Sequence, residues 1–476
     1  MSAPLLPQTS GRPVFGHFPD LIRTGMFPLL RDHWVRHGDA FKIKVGGKHM
    51  AAFIHPDAVE TILVSKRQHF FKGGSYDEIR HLVGDGVLTV EGDKWKQQRR
   101  TIQPCMNRSF LKGFAEPMVQ ASVDLVDEWA EAGESSMDIY PQMLHLALRI
   151  LGQTLFGIDL RDSADVSTRA FTVTLETVSQ RGNTIYAPPL SWPTRANRRF
   201  RKALGELDEI VYAMIRGRAE AMERGEACPT DLISMLLEAR DENGEPMDHR
   251  LARDEIITMF LAGHETTALA LTWTWYLLAM HPEVEQRLHE ELEQVLGGRE
   301  PTFDDLPALK YTKCILQESM RVCPPVWSGA RDVVEDTDIQ GYAVRKGELA
   351  IYVPYLTHRH PEFWSRPEAF MPERFEPDQA KGRHKFAYLP FSAGPRACVG
   401  NHFTMIEAQL AIAVIAQRYR FDLRPGHVVE PEYQITTRPR FGMQMLVHRR
   451  DQGAQVFDPR TAQAAAADHA TQPASP

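Results

Sequence analysis

Between Ile256 and Met280 the chain reads "IITMFLAGHETTALALTWTWYLLAM", a mostly apolar stretch long enough to cross a bilayer. His264 and Glu265 stand at its middle, where a charge costs about 2.5–3.5 kcal/mol on insertion scales. A helix buried inside protein fits better than a membrane span. The N-terminal "MSAPLLPQTSGRPVFGHFPD" has no cationic segment followed by an apolar run, so neither signal peptide nor anchor is expected.

The surroundings such a helix needs are legible elsewhere. Heptad-like apolar spacing marks helices at 115–133, 140–157, 198–224, 254–280 and 283–296. The stretch 309–322 reads as another, which Pro324-Pro325 terminates. Two hairpins are expected, one over 41–54 turning at Gly46-Gly47, one over 342–353 turning at Lys346-Gly347. Residues 360–390 are rich in proline and aromatics without a period, a long loop that covers something. The low-complexity end, 451–476, reads as a disordered tail. No composition break or repeat divides the remainder. The expectation is a mainly α fold with small β-sheets, one large domain over 1–450.

Net charge of −7 gives no pull toward nucleic acid or anionic membrane. Five scattered cysteines without a CxxC pair argue against a disulfide framework or zinc ribbon and for a reducing, cytoplasmic setting. "GDGVLT" (84–89) begins like a dinucleotide loop but has Thr89 in place of the third glycine. "HETTA" starts like a zinc-protease helix but has Ala268 where the second histidine must sit, and no GxSxG elbow exists.

The informative thiol is Cys398 in "FSAGPRACVG", a tight glycine-bearing loop opening onto a helix. A helix N-terminus and Arg396 both favour thiolate. Gly394 and Gly400 permit a tight backbone path and close approach of a flat ligand. By themselves these residues fit a buried structural cysteine or a catalytic nucleophile.

Phe391, Gly394, Arg396, Cys398 and Gly400 match FxxGxRxCxG, and on this pattern the chain resembles the cytochrome P-450 family. The resemblance implies the fold of that family and haem b (iron protoporphyrin IX), with Cys398 thiolate as the axial iron ligand and Phe391 packed against it. Glu318 and Arg321, three apart on one helix face, match the ExxR motif. With Arg374 from "PERF" they would form a structural lock, although by spacing alone they could be a solvated pair. Trp95 and Arg99 match WxxxR and would reach a haem propionate, joined by Arg331 and Arg396. The segment Ala262–Thr267 matches the oxygen-binding groove, where the helix is expected to bulge, with Ala262 and Gly263 beside the haem. Its Thr266 and Glu265 would be the alcohol and acid of a proton-delivery pair; by residues alone the segment is a buried polar cluster.

The activity implied is a haem-thiolate monooxygenase acting on a hydrophobic molecule such as a fatty acid, terpenoid or steroid. A peroxygenase or isomerase of the same fold, and a haem-binding sensor, are the alternatives. No flavin or iron–sulfur module is recognisable, so two electrons come from outside, with a ferredoxin and its reductase as the expected donors. Lys94, Lys96 and Arg100 are candidate docking cations or simply a solvated face. Tyr76, Leu88, Phe260, Val326, Trp327 and Thr437, with neighbours such as Ile435, are the pocket residues carried over. A monomer without membrane anchor is expected.

Overall fold

A computed structural model describes residues 6–450, apart from 8, 10, 13, 14, 134, 159–163, 183–186, 241 and 242. The tail 451–476 lies outside the described residues.

The apolar stretch forms the middle of the helix His249–Met280, whose start is capped by the Asp248 carboxylate accepting from Arg250 N at 3.3 Å. Nearly every residue from Ala252 to Leu278 is buried. It packs against the helices Ile139–Leu155, Arg195–Glu223 and Lys310–Val322, and against Asn401–Arg418. A helix apolar on all sides has no other way to leave water. Among the described residues no helix is long and apolar enough to cross a membrane. The helices read from the sequence at 115–133, 140–157, 198–224 and 283–296 appear as Ala115–Ala132, Ile139–Leu155, Arg195–Glu223 and Pro282–Leu296. Two early helices, Phe18–Thr24 and Met26–His37, and Ala164–Gly182 have no counterpart in that reading.

Strands Ala40–Val45 and Lys48–Phe53 form the first expected hairpin, Val45 opposite Lys48. They belong to a five-stranded sheet that continues through Leu349–Tyr352, Gly329–Val333 and Phe70–Phe71. The second expected hairpin does not form. Tyr342–Val344 turns back at Gly341 to pair with Thr337–Ile339, while Leu349–Tyr352 pairs in parallel with Lys48–Phe53. The Lys346-Gly347 turn is real, but the strand after it finds more apolar surface in the larger sheet than beside its neighbour.

Candidate active site

Two elements face each other across an internal cavity of about 350 Å³: the loop ahead of Asn401–Arg418 and the middle of His249–Met280. The loop path is set by its glycines. Gly394 sits at φ +71°, and a Cβ there would lie 2.2 Å from the Leu63 carbonyl oxygen. Cys398 N–H donates to Phe391 O at 3.0 Å, closing the loop on itself. A Cβ on Gly400 would come within 4.0 Å of Cys398 Sγ. Cys398 lies deep in the protein yet keeps accessible surface, because it opens onto the cavity.

Opposite it, Ala262 is exposed although the helix around it is buried, and its free surface is that same cavity. Gly263, Glu265 and Thr266 also line it. The expected bulge is absent: the helix is unbroken from His249 to Met280. Thr266 Oγ1 donates to Ala262 O at 2.6 Å, the back-bond of an ordinary helical threonine. Gly263 instead serves close packing, since a Cβ there would stand 3.0 Å from a Leu151 methyl.

One side of the cavity is cationic, lined by Lys72, Arg99, Arg331 and Arg396. The Arg396 guanidinium lies over the Trp95 ring at 4.8 Å and donates to Val90 O at 2.9 Å. Its Nη1 is buried with no partner. Arg99 donates to Ala397 O at 2.9 Å, Arg331 to Ala330 O at 2.7 Å and Lys72 to Leu88 O at 2.9 Å. Of these four cations, only Arg396 has an ion-pair partner among the described residues, Glu91 at 3.5 Å. Burial, then repulsion from Arg396 and Arg331, drives the Lys72 ammonium well below its ordinary range. Burial likewise pushes Arg396 down to about 10. So many desolvated cations call for an anionic occupant.

Burial also raises the Cys398 thiol, against the lowering by the Gly400 N–H, Arg99 and Lys72. The Gly400 N–H and the two cations favour the charged sulfur against burial, as coordination to a metal also would.

The acid is not free. Glu265 is 3% exposed and ion-paired with Arg438, and it accepts from Tyr140 Oη at 3.2 Å and Thr436 Oγ1 at 3.2 Å. Burial works against the Arg438 guanidinium, but Glu265 and Tyr140 more than offset it and hold it above the usual range. Burial, Arg438 and His145 push His264 down to about 3, so this histidine is neutral.

The Glu318–Arg321 pair is fully buried, Arg321 Nε donating at 2.7 Å and Nη2 at 2.8 Å. Arg374 Nε joins at 3.3 Å, and Arg321 also donates to the carbonyls of His358, Pro367 and Ala369. The pair is a tie between its helix and the 358–374 loop, not a solvated contact.

Of the nominated pocket residues, Tyr76, Leu88 and Val326 line the cavity, with Ile435. Tyr76 stands at the cationic end, its ring 4.8 Å from Lys72 Nζ. Three are elsewhere. Phe260 stacks on Phe156 at 4.2 Å on the far side of its helix, while Met259 and Leu261 reach the cavity. Trp327 packs edge-on against Phe27 beside the five-stranded sheet and donates to Gln434 O at 2.6 Å. Thr437 is buried away from the cavity, which its neighbour Thr436 lines, because side chains alternate along an extended segment. Sequence reasoning missed Lys72, Tyr140 and Arg438. A lysine and an arginine forced into apolar company are the signal, visible only once the chain is folded.

A family model described as cytochrome P-450 matches residues 6–445. The chain belongs to the cytochrome P-450 family. It is 34% identical over 392 residues to the cyclooctat-9-en-7-ol 5-monooxygenase of Streptomyces melanosporofaciens, covering 82% of this chain and 84% of that one. It is 32% identical over 424 residues to the pentalenene oxygenase of Streptomyces avermitilis, covering 88% and 92%. The crystal structure of a cytochrome P-450 haem domain superposes with a TM-score of 0.85 at 26% identity, covering 96% of this chain and all of that chain. The fold is thus the mainly α cytochrome P-450 fold, and the protein is a cytochrome P-450 monooxygenase, an oxidoreductase carrying haem held by a cysteine thiolate.

The residues present fit that group. A sulfur opens onto one face of the cavity and the small residues Ala262 and Gly263 onto the other. The cations with too few counter-charges, and the orphaned Arg396 Nη1, match a ligand bearing two carboxylates.

Proposed function

We propose that the protein oxygenates a cyclic, terpenoid-like hydrocarbon, with Cys398 as the thiolate ligand and Lys72, Arg99, Arg331 and Arg396 as the propionate partners. The observation that carries this is a stretch of cavity wall, with Leu151 against Gly263 of the central helix, where Val87, Leu88, Leu151, Leu155 and Leu175 offer no polar group to a guest. The names of the two Streptomyces relatives point to the same chemistry.

When bound, the haem supplies oxygen activation, which the thiolate assists by donating electron density. The apolar wall holds the substrate and excludes water. Thr266 Oγ1 is the alcohol that faces the cavity, and the Glu265 carboxylate, which lines the same cavity, relays protons taken up from solvent toward it. Arg438, Tyr140 and Thr436 fix the direction in which the Glu265 carboxylate points. Glu318, Arg321 and Arg374 act at a distance by holding the loop behind the haem site.

Two electrons arrive from a separate donor, with a ferredoxin as the class proposed. A concavity of about 530 Å³, lined by Arg108, Lys313 and His402, reaches Phe391 from outside, and Phe391 also lines the inner cavity. This supports acidic-donor docking there, with Lys94, Lys96 and Arg100 as further cations; Lys96 is already paired with Asp93 at 2.8 Å. The domain is proposed to span 1–450.

A spectral titration of the haem protein against cyclic terpene alcohols and against straight-chain fatty acids tests the substrate class. The expected outcome is a saturable change in the haem absorption spectrum with the terpenoids, and a hydroxylated product once ferredoxin, reductase and dioxygen are added. A response to fatty acids alone would overturn it.

A further inference from the structure

The "GDGVLT" segment carries no dinucleotide, yet the fold grips it from several sides. The Asp85 amide donates to Asp254 Oδ2 at 2.8 Å, and the Val87 amide to Glu255 Oε2 at 3.0 Å. Gln98 Nε2 donates to Asp85 O at 2.9 Å and Arg253 Nη1 to Leu82 O at 3.1 Å. The fit leaves no slack: a Cβ on Gly84 would lie 2.2 Å from the Asp254 carboxylate, and one on Gly86 2.2 Å from Thr258 Oγ1. Glu255 is fully buried, and its Oε1 has no partner. Burying two adjacent carboxylates in the central helix is costly, and neither takes part in the proton chemistry assigned to Glu265. What they hold is the piece of chain whose Val87 and Leu88 side chains form cavity wall, and whose Leu88 carbonyl seats Lys72.

We propose that Asp254 and Glu255 are positioning residues that latch the 84–89 segment onto the central helix and so set the cavity wall that shapes substrate choice. The latch acts through backbone amides, so the wall side chains can vary while their placement is kept. The proposal rests on the cavity being the substrate site of the haem-loaded enzyme.

The test uses the haem-loaded full chain and reads amide hydrogen exchange over 84–89 together with binding of imidazole and of 4-phenylimidazole. Imidazole probes iron access alone; the phenyl ring of the larger ligand also needs the wall. Glu255→Leu removes the acceptor, Gly86→Ala pushes the loop off Thr258, and Glu255→Gln keeps an oxygen acceptor. Expected is at least tenfold faster exchange at 85–87 in Glu255→Leu and Gly86→Ala, and a five-fold or greater change in 4-phenylimidazole affinity. Imidazole binding should stay within two-fold, and Glu255→Gln should follow the wild type. Should Glu255→Leu fail to fold, Gly86→Ala decides. Wild-type protection in the disrupted variants, or equal changes for both ligands, overturns the latch. Failure of imidazole to bind the wild type would instead discredit the haem site itself.

Discussion

The residues with the clearest consequences are those carrying charge where water cannot reach. Glu265 and Arg438 are a buried pair, and removing one partner strands the other at a cost of about 3–5 kcal/mol. Arg438→Leu should therefore lower unfolding stability by that order. Adding Glu265→Gln should recover most of it, because the unpaired charge is gone; a double-mutant cycle by denaturant unfolding checks this. Additive losses would mean that the two residues act separately. Thr266 makes a different kind of prediction, since its side chain donates to Ala262 O within its own helix and ties no other element down among the described residues. Thr266→Ala should leave the fold intact and uncouple the reaction, with dioxygen still consumed, product per oxygen down several-fold and peroxide up. Oxygen and product balances measure it, and unchanged coupling would remove Thr266 from proton delivery. Single residues were unevenly legible. Cys398 stood out because its loop has a fixed pattern, whereas Arg438 sits far along the chain in a short strand with nothing local to mark it.

Elements were read well where their stability is local and poorly where it is not. The helix Pro282–Leu296 shows its buried stripe at Val284, Leu288, Leu292 and Leu296, a period the sequence displays openly. The central helix is apolar on every side, so no period could say that Met259 faces the cavity and Phe260 does not. The strand Leu349–Tyr352 pairs with Gly329–Val333 on one side and with Lys48–Phe53, some 300 residues away, on the other, and neither partner adjoins it across the Lys346-Gly347 turn that the sequence displays. The loop before Asn401–Arg418 gives the element-scale prediction. Gly394 has both a positive φ and a carbonyl where its Cβ would be, so Gly394→Ala must move the loop that carries Cys398. Haem content per polypeptide, by absorbance against protein mass, should drop severely, while Gly426→Ala, at φ +78° but with open space around it, should keep its haem. Full haem content in Gly394→Ala would show the loop to be more yielding than its geometry implies.

For the whole molecule, buried carboxyls set the response to pH. Burial raises Glu255 from 4.5 to about 8, against the lowering by the Val87 amide. Between those values the folded chain keeps a proton that the unfolded chain has released, so folding is favoured below the lower value and the contribution fades as pH climbs through the upper one. Each pKa unit corresponds to about 1.4 kcal/mol, so a few kcal/mol are at stake. Glu285, also lifted by burial to about 8, adds a similar slope. Glu255→Gln should gain stability over the wild type on going from about pH 6 to about pH 9, measured by denaturant unfolding. A difference that does not vary with pH would show that Glu255 titrates normally. The mainly α class was visible from pattern, because helices packed round one apolar helix are dictated by burial, while the order of the motifs came with the resemblance to the family. Cavity shape was not, since it depends on which of many apolar side chains face inward.

The account stands on the sulfur of Cys398 opening onto the cavity beneath the central helix. The most direct measurement is the absorption spectrum of the reduced, carbon monoxide-bound protein, wild type beside Cys398→Ala. The wild type should show the red-shifted Soret band of thiolate ligation, and the variant should lose it. A thiolate band that survives in Cys398→Ala, or its absence from a haem-loaded wild type, would contradict the account.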